Sequence, residues 1–196
     1  MNFYARLSAV SDNALGRASD ALACESGCSY CCYYKVEGSA AEIFRIAEYM
    51  KSNFKKEQIE TILESARNNV SAFSGLTYEQ KIQTNQKCPL LRDDVCAVYD
   101  VRPAKCRNHH STDASLCKKT FDDPMGPDNL NGYIEDLKMS IEGASIGFEK
   151  AVSDKGYDQR AYDLNSALVE AFENPKSIKR YNKKKKAFLS ALEADV

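Results

Sequence analysis

The cysteines are the feature that most restricts how this chain can fold and what it can bind. All eight lie between Cys24 and Cys117 of a 196-residue chain. They form two groups: Cys24, Cys28, Cys31 and Cys32, followed by Cys88, Cys96, Cys106 and Cys117. Eight thiols concentrated in this way require either an oxidising compartment, where they form disulfides, or a metal.

The N-terminal sequence favours a compartment in which thiols stay reduced. It carries Arg6, Asp12 and Arg17 and has no uninterrupted apolar stretch, so it predicts an amphipathic helix and not a signal peptide. No run approaches the roughly 18–20 apolar residues that a membrane span requires. We therefore expect a soluble, cytoplasmic protein. In that setting, closely spaced cysteines indicate metal or redox chemistry before they indicate disulfides.

Apolar periodicity predicts helices on both sides of the cysteines. Apolar residues recur at steps of three and four within 3–21, 43–50, 59–73, 130–151, 161–172 and 185–192. Ser39-x-x-Glu42 and Thr77-x-x-Gln80 have the form of capping boxes. Prolines and glycine break the pattern between Cys88 and Asp128, so the second cysteine group is expected on irregular backbone. The predicted fold class is mainly α, a helical bundle with irregular cysteine-bearing loops that form a metal or cluster site.

We predict two segments in one compact unit. Residues 1–128 form a cysteine-cluster metal-binding domain with its core motif at 24–117, and residues 129–196 form a C-terminal helical extension packed on the same domain. Apolar residues make up 43% of the chain, which is enough for a core without disulfides.

The cysteine spacing indicates metal ligands. Thiolates bind soft or borderline metals, and four of them complete a tetrahedral site. Cys28 and Cys31 can come from one tight turn, whereas the adjacent Cys31 and Cys32 point in different directions and suit two metals or opposite sides of a cluster. Two four-cysteine zinc sites, or one four-iron cluster plus a second site, both satisfy the count. The spacing leaves open which cysteines share a metal.

The cysteines and their neighbours resemble the CxxCxxCC (YkgJ-type) cysteine-cluster family. The resemblance rests on Cys24-x3-Cys28-x2-Cys31-Cys32, then Cys88-Pro89-x-Leu91, Cys96-x-Val98-Tyr99, Arg102-Pro103 and Cys106-Arg107. It covers about residues 24–117 and implies zinc or iron chelation, without an assigned reaction for most members. The first gap is three residues where the family has two, so Cys24 departs from the pattern. A similar cysteine module occurs in flagellin lysine methylases, where it is associated with iron–sulfur chemistry.

Several residues near the cysteines have both a functional and an ordinary interpretation. His109 and His110 have three interpretations: metal ligands, residues of an exposed polar loop, or hydrogen-bond donors to the metal ligands. For Arg102 and Arg107 the functional interpretations are hydrogen bonds to thiolates or binding of an anionic substrate. The ordinary interpretation is an ion pair with Asp93, Asp94 or Asp100. Tyr30, Tyr33, Tyr34 and Tyr99 shield a cluster, although ordinary core packing is favoured. The functional interpretation of the basic run, Lys179, Arg180 and Lys183–Lys186, is contact with phosphates or a membrane surface. A solvent-exposed helix face is the favoured interpretation.

The sequence thus predicts a metal-binding protein that holds zinc or an iron–sulfur cluster through all eight cysteines. A redox role, or an accessory role in modifying a protein or peptide, follows from the excess of ligands over one structural site. The alternative is a structural zinc module that binds a protein partner through its basic C-terminal segment. A net charge of −1 gives no reason to expect nucleic acid. Whether the protein is an enzyme stays open.

Overall fold

The computed structural model describes residues 3–126 and 132–193, and these residues form a mainly α fold, as predicted. The helices are α1 Phe3–Ala18, α2 Ala40–Asn53, α3 Lys56–Phe73, α4 Tyr78–Gln83, α5 Ala104–Asn108, α6 Ala114–Asp122, α7 Glu135–Asp154, α8 Leu164–Glu173 and α9 Lys176–Asn182. Within these ranges, no helix combines the length and the hydropathy needed to cross a membrane.

The described residues also form two short antiparallel ribbons and three 3-10 turns, Ser19–Ala21, Tyr30–Tyr33 and Tyr99–Val101. Strand β1 (Glu37–Ser39) pairs with β4 (Ala161–Asp163), with Gly38 opposite Tyr162. Strand β2 (Leu91–Arg92) pairs with β3 (Val95–Cys96). Strands of two or three residues are too short to show an alternating pattern, so the sequence did not reveal them. The β1–β4 ribbon joins residues more than a hundred positions apart.

Both predicted capping boxes are confirmed. The Glu42 carboxylate accepts a hydrogen bond from the Ser39 N–H at 2.9 Å, while the Ser39 hydroxyl accepts one from the Glu42 N–H. Thr77 and Gln80 make the equivalent pair at the start of α4. These bonds satisfy N–H groups that have no partner inside the helix, and so they fix where each helix begins. Helix α3 ends as expected before Gly75, whose φ is +78°.

The main core lies between α2, α3 and α8. Ile43, Ile46 and Met50 of α2 are fully buried there, against Ile62 of α3 and Leu168 of α8. Residues from both halves of the chain therefore share one core. The predicted boundary at residue 128, and Leu130 of the helical pattern, lie outside the described residues, and the division into two segments stays a prediction.

Helices α1 and α7 pack against each other beside this core. Leu7 contacts the cluster formed by Phe148 and Val152, and Ala14 belongs to a second cluster with Ile141. The predicted apolar stripe over 3–21 was wrong at Val10, which is 45% exposed, and at Ala21, which is exposed and lies beyond the end of α1.

The helix predicted over 185–192 was wrong, because this segment is irregular in the structure. Four of its backbone N–H groups donate to two buried carboxylates and not to helical carbonyls. Asp158 accepts from the Ala187 N–H at 2.7 Å. Glu170 accepts from the N–H groups of Leu189, Ser190 and Ala191 at 2.9, 2.8 and 3.0 Å. Local periodicity could not indicate these partners, since they lie about twenty to thirty residues away in sequence.

The two carboxylates predict that the protein loses stability in acid. Burial alone would raise the pKa of Asp158 and of Glu170, but their hydrogen bonds outweigh it and hold each pKa below its usual value of 3.8 or 4.5. The stabilisation is therefore complete above these usual values, and it is lost as the pH falls through the lower pKa values of the folded protein. We expect the urea midpoint to fall between pH 5 and pH 3.

A double variant, Asp158→Asn with Glu170→Gln, provides the comparison for this pH dependence. It should be less stable than the native chain at pH 7 and should lose less on acidification, when both proteins are compared at equal metal content. Parallel stability curves for the two proteins would show that these carboxylates do not cause the acid sensitivity.

Candidate metal centre

The first cysteine group lies on a loop of tight turns between α1 and β1. Gly27, with φ at +94°, forms the turn in which the Cys28 N–H donates to the Glu25 carbonyl at 3.1 Å. This left-handed conformation favours glycine because a Cβ atom would be strained there. Cys31 and Cys32 follow in one 3-10 turn, Tyr30–Tyr33. The three-residue gap after Cys24 is thus spanned by a turn and not by a helix.

Backbone hydrogen bonds bring Cys32, Cys88 and Cys96 to one side of this loop. The Cys88 N–H donates to the Cys32 carbonyl at 2.8 Å. The Cys88 carbonyl accepts from the Leu91 N–H at 3.0 Å, and Leu91 pairs with Cys96 across the β2–β3 ribbon. The Ser29 hydroxyl also donates to Asp94 in the turn of this ribbon, at 2.9 Å.

A second set of contacts brings Cys24 and Cys117 towards this loop as well. The Ser111 carbonyl accepts from the Ala23 N–H at 2.9 Å and lies 3.8 Å from the Cys24 Sγ. Cys117 lies on α6, which packs against the 3-10 turn that carries Cys31. The Tyr30 and Tyr33 rings contact Phe121 of α6 at centroid distances of 5.6 and 5.1 Å, which holds the helix against the turn.

The prediction of irregular backbone for the second cysteine group was wrong for three of its members, because Cys96 lies on strand β3 and two others lie on helices. Cys106 lies on α5 and Cys117 on α6. Asp113 starts α6, where its carboxylate accepts from the Ser115 N–H at 2.7 Å. Helices of five and nine residues carry too few apolar positions to show a period, which is why the pattern did not indicate them.

None of the eight cysteines forms a disulfide, and seven of their thiols have a raised pKa. Burial is the main cause for six of these seven, and it raises the pKa of Cys88 to about 12. For Cys31 the main cause is a hydrogen bond with the Cys32 thiol, followed by burial. At neutral pH these seven thiols are therefore protonated in the absence of a cation.

The effects that these cysteines, as thiolates, have on one another's pKa indicate which of them lie near one another. The pKa of Cys106 is raised, after burial, by Cys88, Cys31 and Cys96. We call Cys88, Cys96 and Cys106 the Cys88 group. In the same way, Cys117 is affected by Cys24 and Cys31, and Cys28 by Cys31 and Cys117. We call Cys24, Cys28 and Cys117 the Cys24 group. Cys31 interacts with both groups and therefore lies between them.

The thiols share one region without forming a closed coordination shell. Within residues 3–126 and 132–193, no three side chains of His, Cys, Asp or Glu are arranged so that they could hold a metal ion as they stand. The chemistry of the donors nevertheless fits zinc or iron, because both metals are bound by thiolates. A cation would also remove the repulsion and the burial penalty that keep these thiols protonated.

Arg102 supplies positive charge to this region. Its charge lowers the pKa of Cys31, Cys96 and Cys106, opposing the larger effects that raise them. The guanidinium is fixed by a hydrogen bond to the Tyr99 carbonyl at 2.8 Å and by stacking 3.6 Å from the centre of the Tyr99 ring. Of the interpretations given to Arg102, an interaction with thiolates is the one that this arrangement favours.

Arg107 has a structural role instead. It is buried, pairs with Asp12 of α1 at 2.6 Å, and donates to the carbonyls of Asp100 and Arg102. The expected partners were the carboxylates of Asp93, Asp94 or Asp100. Asp12 was missed because it lies 95 residues away and no local pattern points to it.

The two histidines differ in what they can bind. His110 is buried with both ring nitrogens engaged, Nε2 with the Ile134 N–H at 3.0 Å and Nδ1 with the Asn108 carbonyl at 2.9 Å. His109 packs its ring edge-on to Tyr34 at 5.7 Å, and its buried Nε2 has no hydrogen-bond partner among the described residues. His109 is thus the histidine that retains a nitrogen for a ligand.

The basic C-terminal run is partly bound within the protein. Arg180 pairs with Glu170 at 2.7 Å, and Lys186 pairs with Glu193. Lys179 and Lys183–Lys185 are exposed.

A mainly helical fold with eight free cysteines gathered from two distant segments defines a cysteine-cluster protein. The chain belongs to the CxxCxxCC family, described as a "putative zinc- or iron-chelating domain", whose sequence model matches residues 23–125. The match covers just over half of the 196 residues and confirms the predicted resemblance. Searches of curated proteins and of solved structures found no significant match.

Proposed function

We propose that this protein binds zinc or an iron–sulfur cluster through its eight cysteines. The observation that carries this proposal is that contacts bring cysteines from two segments about sixty residues apart together around Cys31, where as thiolates they raise one another's pKa. As thiolates these cysteines would repel one another, and a bound cation would compensate that repulsion. Membership of a family described as chelating zinc or iron supports the same function.

We further propose that the cysteines form two ligand sets of four. In the first set, Cys32 completes the Cys88 group, which is supported by the hydrogen bond between the Cys88 N–H and the Cys32 carbonyl. In the second set, Cys31 completes the Cys24 group: its charge affects the pKa of the thiols of both groups, and Cys32 already takes the fourth position of the first set. Neighbouring side chains on this turn can serve opposite sides, so one dipeptide joins both sets.

In each set the protein holds the thiolates in place, and metal binding releases their protons. Zinc would supply structural stability, whereas an iron–sulfur cluster would supply one-electron chemistry. A redox or protein-modifying accessory role requires the second case. The alternative, a structural zinc module with a basic contact segment, requires zinc. This alternative is weakened because Arg180 and Lys186 of that segment pair with Glu170 and Glu193 of the same chain.

Anaerobic purification followed by metal analysis and an absorption spectrum tests this function. Iron and sulfide with a broad band near 400 nm would establish a cluster and exclude the zinc-only interpretation. About two zinc ions per chain without this band would exclude the redox role. A purified protein that holds neither metal, and takes up neither under anaerobic reconstitution, would contradict the proposal.

Replacement of Arg102 is expected to weaken metal binding. In Arg102→Met the positive charge that lowers the pKa of three thiols is lost, so protons compete better with the metal. Metal should be released at a higher pH than from the native chain, and affinity at pH 7 should fall by about 10–100-fold, as is typical for residues that support metal ligands. Competition with a chromophoric chelator across pH measures both effects.

Arg92→Met is the matched control for this experiment. Arg92 lies on β2 beside the same region, and its guanidinium donates to the Gln58 carbonyl on α3. The Arg92→Met variant should release its metal at the same pH as the native chain. Equal shifts in the two variants would mean that Arg102 has no specific effect on the thiols.

A further inference from the structure

A cleft of about 660 Å³ opens between α2, α7, α8 and α9, in elements that contribute none of the eight cysteines. Its volume is in the range of roughly 300–1,000 Å³ that is usual for small-molecule sites. Its walls carry five aromatic side chains, Phe44, Phe148, Tyr157, Phe172 and Tyr181.

The aromatic walls are held in place by their own contacts. Tyr157 stacks on Tyr181 with ring centroids 5.0 Å apart, and Phe44 contacts Tyr181 at 5.5 Å and Phe188 at 5.0 Å. Phe188 is fully buried and belongs to the main core. The walls are thus anchored to the fold, so a ligand that enters the cleft would meet preformed apolar surfaces.

The charged residues of the cleft are mostly cationic. Arg45, Lys51 and Lys155 line it together with one carboxylate, Glu48. The Lys51 ammonium lies 4.9 Å from the centre of the Phe172 ring, so positive charge and aromatic surface adjoin each other. An excess of cations beside apolar walls complements a molecule with an apolar body and an anionic group.

We propose that this cleft binds an amphipathic organic anion. The apolar body lies against Phe44, Phe148 and Phe172, and the anionic group, a carboxylate, sulfonate or phosphate, meets Lys51 and Lys155. The site is independent of the cysteine cluster, and its ligand need not contact the metal.

Two fluorescent probes of the same shape test the proposal on the full metal-loaded chain. One is 8-anilinonaphthalene-1-sulfonate, and the other is N-phenyl-1-naphthylamine, which lacks the sulfonate. We expect saturable binding of one sulfonate probe per chain, at least about fivefold tighter than the uncharged probe, since two partly exposed charge contacts distinguish them. Decanoate should displace the sulfonate probe more strongly than decanol does.

Three variants relate the binding to the cleft. The double variant Lys51→Gln with Lys155→Gln should lower the affinity for the sulfonate probe about fivefold or more and leave the affinity for the uncharged probe unchanged. Lys118→Gln with Lys150→Gln removes the same charge elsewhere and should change neither affinity. Ala151→Trp fills the cleft and should abolish binding of both probes in a chain that circular dichroism shows to be folded.

Absence of saturable binding would overturn the proposal, and so would equal affinities for the two probes. Equal losses in the two lysine double variants would mean that net charge, and not the cleft, attracts the anion. Persistence of binding in a folded Ala151→Trp variant would place the site elsewhere. If Ala151→Trp does not fold, the lysine variants decide the outcome.

Discussion

Cys88→Ser is expected to remove one metal equivalent and to lower the free energy of unfolding of the loaded protein by more than about 3 kcal/mol. A serine hydroxyl is a poor ligand for zinc or iron, and structural zinc contributes on the order of 10 kcal/mol to the folding of zinc-finger peptides. Cys88 also lies where the first cysteine loop joins the β2–β3 ribbon, so the loss reaches two parts of the fold. Native mass spectrometry and urea unfolding measure the two effects.

Cys24→Ser is the matched control for Cys88→Ser. Cys24 is exposed and belongs to the other ligand set, so its replacement should leave the Cys88 set loaded and should destabilise the protein less. If Cys88→Ser keeps the metal content of the native chain, Cys88 is not a ligand and the division into two sets fails.

Glu170→Ala is expected to destabilise the protein by about 3–5 kcal/mol. Glu170 is buried and accepts hydrogen bonds from three N–H groups of residues 189–191, from the Ser190 hydroxyl and from Arg180. Its removal leaves these donors without an acceptor and a partly buried guanidinium without its carboxylate. Thermal or urea unfolding at pH 7 measures the change.

Glu173→Ala on the same helix separates this effect from a general loss of negative charge. Glu173 is exposed and pairs with Arg67 at the surface, so its replacement should cost less than about 1 kcal/mol. Metal content should be unchanged in both variants, since neither residue lies in the cysteine region. Equal destabilisation by the two changes would contradict the role given to Glu170.

The features that could be predicted from the sequence are those determined by residues close together in the chain. Ser39 and Glu42 lie three residues apart and satisfy each other, so the start of α2 could be read directly. The long apolar stripes of α2, α3 and α7 were equally clear, because each helix buries one face. The eight cysteines could be named as candidate ligands from residue type and spacing alone.

The remaining features depend on partners far away in the chain. The segment 185–192 has a helical pattern, but buried carboxylates on other elements hold it in an irregular form. Arg107 lies next to Cys106 in sequence, yet it pairs with Asp12 on α1. Spacing likewise could not assign cysteines to groups, because Ser111, Phe121 and α6 determine which thiols approach Cys24 and Cys31.

X-ray absorption at the metal edge of the anaerobically purified protein tests the central claim most directly. If the cysteines hold the metal, the first coordination shell consists of sulfur, with four ligands at about 2.3 Å for zinc. Iron in a cluster would likewise have a sulfur shell, because Cys thiolates hold it. A first shell of nitrogen and oxygen around the bound metal would contradict the account.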